Sequence, residues 1–208
     1  MTQTVLQNIW EGLTKAGWLD QLNLVLGVVG VWLMIRRSLI AFPVGLVAVV
    51  VQGVLFWQAK FYADARLQVF FFVCLAYGWW HWVKHKGNAP ELPVTRLGWR
   101  ARAGWLGAAT ALTLAWGAWQ KNHTDAVMPY RDAFIASFSM LGQVLQVRKH
   151  MENWIVWLAV NGVAIVAYWS ADLAFTAFLY AIFLGLAVMG WIEWSKALRT
   201  NRVEAPAS

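Results

Sequence analysis

Residues 152–161 read Glu152-Asn153-Trp154-Ile155-Val156-Trp157-Leu158-Ala159-Val160-Asn161, and two indoles followed by an amide at this spacing can recognise a flat, polar ring. On a helix of about 100° per residue, Trp154, Trp157 and Asn161 fall at about 0°, 300° and 340°, and Tyr168 at about 320°. One narrow face then carries two indoles, an amide and a phenol. Indole faces attract cations and stack on heterocycles, while an amide offers hydrogen bonds to ring substituents. A blander reading puts Trp154 in an interfacial aromatic belt, as for most of the sixteen tryptophans. That reading is weaker for Trp157 and weaker still for Asn161, about two turns deeper.

Gln52, Gln143 and Gln146 are further polar side chains inside apolar runs. In hydrocarbon such groups face a cavity or another helix, so each is a candidate for substrate contact or for an interhelical hydrogen bond. The chemistry that is missing narrows the class. Away from the span ends there is no Asp, Glu, Lys or His to relay protons, since Asp64, Asp172 and Glu193 fall near those ends, and a coupled pump is disfavoured. No P-loop is present to use ATP, and no nucleophile and base pair within the spans suggests an enzyme. His81 and His85 stand four apart, the spacing of two metal ligands on one helical face, without an evident third. Cys74, the single cysteine, lies in an apolar run and reads as a packing residue. No metal or cofactor is expected.

The elements that must position these residues are membrane helices. Hydrophobic residues make up 60% of the chain and charged ones 13%, against about 25% charged in a soluble domain. A span needs about 20 apolar residues, and apolar blocks predict seven: 21–35, 38–57, 67–83, 103–119, 133–147, 154–169 and 173–194. Residues 4–20 mix Gln7, Asn8, Glu11 and Lys15 with apolar side chains and read as an interfacial amphipathic helix. The polar break at 84–102, with Gly87, Pro90 and Pro93, ends a first half. Five Lys and Arg fall on one side of these spans and twelve on the other, which places the N-terminus outside and the C-terminus in the cytoplasm. The net charge of +7 therefore belongs to helix ends and gives no reason to expect nucleic acid.

Shifted by 112 residues, the chain matches itself without a gap: Gly30 falls on Gly142, Leu33 on Leu145, Arg36 on Arg148, Trp57 on Trp169 and Phe71 on Phe183. The match ends in a shared G-W-x-x-W-x-K, from Gly78 to Lys84 and from Gly190 to Lys196. An internal duplication follows. Three spans per half leave the chain on the wrong side to begin a second copy in the same orientation, so one more helix, 103–119, must cross back. The expected fold is an all-α integral membrane protein of seven transmembrane helices, 3+1+3, with two parallel three-helix repeats. Its parts are an interfacial segment (1–20), a first repeat (21–86), a linker with the connecting helix (87–130), a second repeat (131–198) and a cytoplasmic tail (199–208).

The run from Gln146 to Asn161, with Gln143 before it and Tyr77-Gly78-Trp79-Trp80-His81-Trp82 in the first half, resembles the nicotinamide riboside transporters called PnuC. The W-x-x-W-x-x-x-N pattern is its most specific part. The resemblance implies a fold like that of the SWEET sugar transporters, a homotrimer in the cell inner membrane, and facilitated diffusion of nicotinamide riboside, with a cytosolic riboside kinase maintaining the inward gradient. It carries substrate binding to Trp154, Trp157 and Asn161; Gln52, Gln143 and Tyr168 join them from polarity, depth or face. Relatives of this family move thiamine or riboflavin, which stay open as alternatives, as does a membrane structural protein whose polar residues only join helices.

Overall fold

The computed structural model describes residues 7, 10–12, 14, 17–87, 89 and 91–204. Among them seven helices are delimited: α1 Trp18–Ile35, α2 Ala41–Gln58, α3 Tyr62–His85, α4 Trp99–His123, α5 Pro129–Val147, α6 Asn153–Ser170 and α7 Ala174–Glu204. Much of the interfacial segment expected at 1–20, and residues 205–208 of the tail, lie outside the described residues. A helix stands at every expected span. α3, α4 and α7 run beyond the expected ends, because Trp, Tyr and long basic side chains continue a helix into the headgroup layer. Arg100 and Arg102, expected in the polar break, sit in the first turn of α4.

Among the described residues, four helices are long and apolar enough to cross a bilayer by length and composition: Trp18–Ile35, Ala41–Gln58, Asn153–Ser170 and Ala174–Thr200. The other three have weaker apolar signals for identifiable reasons. α3 is rich in Trp and Tyr, α4 in Ala and Gly, and α5 carries Ser137, Ser139, Gln143 and Gln146.

α1, α2, α5 and α6 end alike, although no glycine marks their ends. Arg37, Lys60, Lys149 and Asp172 adopt φ of 56°, 63°, 61° and 58°. The next residue in each case returns its amide to the carbonyl five positions back: Ser38 to Leu33 at 3.0 Å, Phe61 to Phe56 at 2.8 Å, His150 to Leu145 at 2.9 Å and Leu173 to Tyr168 at 2.9 Å. These are Schellman caps, which satisfy carbonyls that a helix end leaves open. A left-handed backbone costs a non-glycine residue about 1–2 kcal/mol, so the surrounding bonds must hold it. The four residues form two pairs 112 positions apart.

Helix packing closes a ring in the order α1, α2, α3, α5, α6, α7 and back to α1, with α4 outside against α5. The 112-residue shift carries α1 onto α5, α2 onto α6 and α3 onto the first part of α7. It exchanges the two seams between the halves, α1 with α7 and α5 with α3. The correspondence extends to single bonds. Trp82 donates its Nε1–H to the Val147 carbonyl at 2.8 Å, and Trp194 donates to the Ile35 carbonyl at 3.2 Å. Val147 and Ile35 are the last residues of α5 and α1, so the third helix of each half caps the first helix of the other.

Phe42 meets Trp82 edge-on at 5.0 Å, and its counterpart Trp154 meets Trp194 edge-on at 5.3 Å. Two glycines make this approach possible. A Cβ on Gly78 would lie 2.7 Å from Phe42, and one on Gly190 2.5 Å from Trp154. With Met34, Met151 and Leu198, these rings plug one end of the ring of helices, the end that carries Lys149. Outward-facing Val25, Val50, Val69, Leu114, Val166 and Val188 are exposed, as side chains toward lipid would be.

Residues 91–98 lead into α4 as a strap across the plugged end. Thr95 pairs with the α5–α6 turn, its amide on the Lys149 carbonyl at 3.1 Å and its carbonyl taking the Met151 amide at 2.9 Å. Glu152, just before α6, accepts the Leu97 amide at 3.2 Å and the Arg102 guanidinium at 2.7 Å.

Candidate functional site

At the end opposite Lys149, a cavity of about 800 Å³ opens between α1, α2 and α7, touched by Gln68 of α3 and Tyr168 of α6. Its size falls in the range of small-molecule sites. α1 contributes Asp20 and Asn23, α2 contributes Gln52 and Gln58, and α7 contributes Thr176 and Tyr180. Asn23 donates from Nδ2 to Gln52 Oε1, which fixes the Gln52 amide and leaves its NH₂ group as a donor. Tyr168 stacks on Tyr180 with ring centres 5.2 Å apart and planes 18° from parallel. The cavity therefore offers amides and phenols on an apolar wall that includes Phe56, Phe61 and Phe183.

Four of the sequence-predicted residues lie away from this cavity, on α5 and α6. Trp154, Asn161 and Gln143 are buried, and Trp157 is half-buried. The Trp157 ring rests directly on α5: a Cβ at Gly142 would stand 3.1 Å from it. Trp154 belongs to the plug, against Trp194 and over Gly190. The indole nitrogens of Trp154 and Trp157 and the Gln143 Nε2 are all buried without a hydrogen-bond partner. An orphaned donor of this kind costs about 1–3 kcal/mol; Ser137 Oγ on α5 and Asn153 Oδ1 on α6 are likewise buried without a partner. Trp157, which is half-buried, and the Gln143 amide have donors to offer a carbonyl or hydroxyl, and Trp157 an indole surface, whereas the Trp154 ring is already packed in the plug.

The six residues thus form two groups. Gln52 and Tyr168 line the cavity, whereas Trp154, Trp157, Asn161 and Gln143 do not. A shared azimuth does not bring Tyr168 to Trp154, because fourteen residues along a helix is about 21 Å. Gln146, the other amide singled out, is buried near the end of α5. Sequence reasoning missed Asn23, Gln68 and Tyr180. Asn23 and Gln68 are polar residues in apolar runs, the same signal that identified Gln52. Tyr180 gave no such signal because a tyrosine in a span is ordinary. The rings of His81 and His85 do lie together, 4.4 Å between centres, and among the described residues no set of three His, Cys, Asp or Glu is grouped to hold a metal.

A closed ring of apolar helices, plugged at one end and with a cavity of amides and phenols on an apolar wall at the other, suits a multi-pass membrane transporter. The comparisons give that class its family. The family model described as "Nicotinamide mononucleotide transporter" matches residues 17–196, and the chain belongs to this family. A nicotinamide riboside transporter PnuC of Escherichia coli (strain K12) is 24% identical over 207 residues, covering 88% of this chain and 87% of that protein. A riboflavin/roseoflavin transporter RibM of Streptomyces davaonensis is 28% identical over 192 residues, covering 91% and 89%. A crystal structure of the vitamin B3 transporter PnuC superposes with a TM-score of 0.74 at 20% identity, over 94% of this chain and 90% of that one. The relatives are named as transporters, and the fold is shared.

Proposed function

We propose that the chain carries nicotinamide riboside across the cell inner membrane by facilitated diffusion, binding it through Trp154, Trp157, Asn161 and Gln143 after entry through the cavity of Gln52 and Tyr168. The observation that carries this reading is the coincidence of Gln143, Trp154 and Trp157, chosen from sequence, with buried donors that have no protein partner. The riboside has the complementary groups: a carboxamide carbonyl and ribose hydroxyls to accept, and a pyridinium ring for an indole face. None of the six side chains is charged, in keeping with uncoupled passage of a substrate that is already cationic. A cytosolic riboside kinase would keep the gradient inward.

In this reading the seven helices are a 3+1+3 transmembrane arrangement, SWEET-like in plan, with repeats 21–86 and 131–198 about a linker 87–130. The matched caps and the reciprocal tryptophan bonds support it. The excess of Lys and Arg at the Lys149 end supports an outer N-terminus and a cytoplasmic C-terminus. The homotrimer rests on the family resemblance. The test is uptake of labelled riboside into liposomes without ion gradient or ATP: saturable flux that collapses in Trp157→Ala is expected, and no flux in the intact protein would sink the proposal.

A flavin is the second reading, favoured by the 28% identity to the riboflavin/roseoflavin transporter, higher than the 24% to the E. coli riboside transporter. Binding measured against nicotinamide riboside, riboflavin and thiamine separates the readings. Tighter binding of riboflavin would replace the riboside as substrate.

A further inference from the structure

We propose that Glu91 latches the transporter shut at its Lys149 end, a single carboxylate on the strap holding one cation from each half. This rests on the transport reading, in which that end faces the cytoplasm and must part to release substrate. Lys149 is fully buried, with Nζ 3.0 Å from Glu91 Oε2 and 4.2 Å from the centre of the Trp82 ring. Arg37, its counterpart 112 residues earlier, brings Nε to 3.0 Å from both Glu91 oxygens. Each cation occupies the left-handed residue of its helix-end cap, which fixes where its side chain leaves the backbone.

The chemistry of the triad makes it conditional. Removing the carboxylate would leave two like charges at the seam, one of them wholly desolvated, an arrangement that destabilises whatever conformation buries it. Burial already pushes the Lys149 ammonium below its ordinary pKa, and Glu91 opposes that shift. Glu91 itself keeps 42% of its side chain exposed, so water can reach the one group on which the closure depends. The strap's other polar ties among the described residues run to the second half, through Thr95 with the Lys149 and Met151 backbone and Leu97 with Glu152. Glu91 with Arg37 is the polar tie that reaches the first half. Its position is also suited to a gate: the halves are sealed at the latch and separated by the cavity at the other end.

The test reads opening directly and uses no substrate. In a Cys74→Ser background, Met151→Cys places a thiol at a plug residue that is 1% exposed, and its reaction with a hydrophilic maleimide is followed in detergent solution. Glu91→Gln should speed labelling severalfold, up to about fivefold, the population change that a partly exposed ion pair can govern. Arg37→Gln leaves the buried lysine its carboxylate and should act likewise, so it decides the question if Glu91→Gln does not fold. Arg131→Gln, which breaks the pair with Asp132 at the start of α5, away from the plugged end, should leave the rate unchanged. Unchanged labelling in folded Arg37→Gln overturns the latch, as does equal acceleration in Arg131→Gln. Failure of the transport reading would show instead as absent liposome flux, with the labelling pattern intact.

Discussion

Gly190→Ala should destabilise the protein, and Gly185→Ala, on the same helix, should not. At Gly190 an added Cβ falls 2.5 Å from the Cε2, Cζ2 and Cη2 atoms of Trp154, where carbon atoms rest about 3.5–4.0 Å apart. Something must then move by about 1 Å or more. Trp154 is 1% exposed and backed by Trp194 at 5.3 Å, so the ring has nowhere to go. Overpacking of a filled core costs about 1–3 kcal/mol, offset by up to about 1 kcal/mol of helix propensity gained over glycine. At Gly185 no heavy atom lies within 4 Å of the new Cβ, and only the propensity gain remains. The difference between the variants is therefore about 1–3 kcal/mol, or roughly 2–12 °C in melting temperature for a chain of this length. Thermal unfolding of detergent-purified variants, followed by tryptophan fluorescence, measures it. Equal midpoints, or a higher one for Gly190→Ala, would refute the account of Gly190 as the space that admits Trp154.

Gln143→Leu removes a buried amide nitrogen that has no partner, so stability should hold or rise by about 1 kcal/mol; calorimetric binding of the riboside should meanwhile weaken by about tenfold, the loss of one to two hydrogen bonds. Asn23→Ala frees the Gln52 amide and should reduce uptake at low substrate, while Asn23→Ala with Gln52→Ala should be no worse than Gln52→Ala alone; additive losses in this cycle would show that the pair does not act as a unit. His150, whose Nδ1 lies 2.8 Å from Thr95 Oγ1, has its pKa lowered from 6.5, first by burial. Because the unfolded chain then binds the proton more readily, stability should be full above pH 6.5 and fall as pH drops through the lower folded value. A melting series from pH 8 to 5, compared with His150→Gln, checks the sign.

The helices were legible in the sequence because each carries a long apolar run, and the halves because Gly30, Arg36, Gly78 and Trp82 recur 112 residues later. Helix ends were harder to place. The four left-handed caps use Arg37, Lys60, Lys149 and Asp172 instead of glycine, so the usual sign of a helix stop is missing. At the site, helical periodicity put Trp154, Trp157 and Asn161 on one face, but periodicity holds no depth, and Tyr168 lies four turns away, at the cavity that those three do not line. The role of Trp154 in the plug comes from Gly190 and Trp194 on another helix, at separations that no local pattern records. Glu91 is less legible again, since its partners are 54 and 58 residues away.

The reciprocal capping by Trp82 and Trp194 makes the scaffold a two-fold dimer written into one chain, and such a dimer of identical halves would show every substrate the same groups twice. Nicotinamide riboside has no two-fold axis. The residues proposed to bind it are among the many positions at which the halves differ: Trp154 stands where the first half has Phe42, Trp157 where it has Gly45, Asn161 where it has Val49 and Gln143 where it has Val31, while Gln52 and Tyr168 correspond to Ala164 and Phe56. Caps, glycines and tryptophan bonds that both halves need have stayed paired. Joining the copies in one polypeptide released the other positions from symmetry, so a lopsided ligand can be read by a frame that is still even-handed.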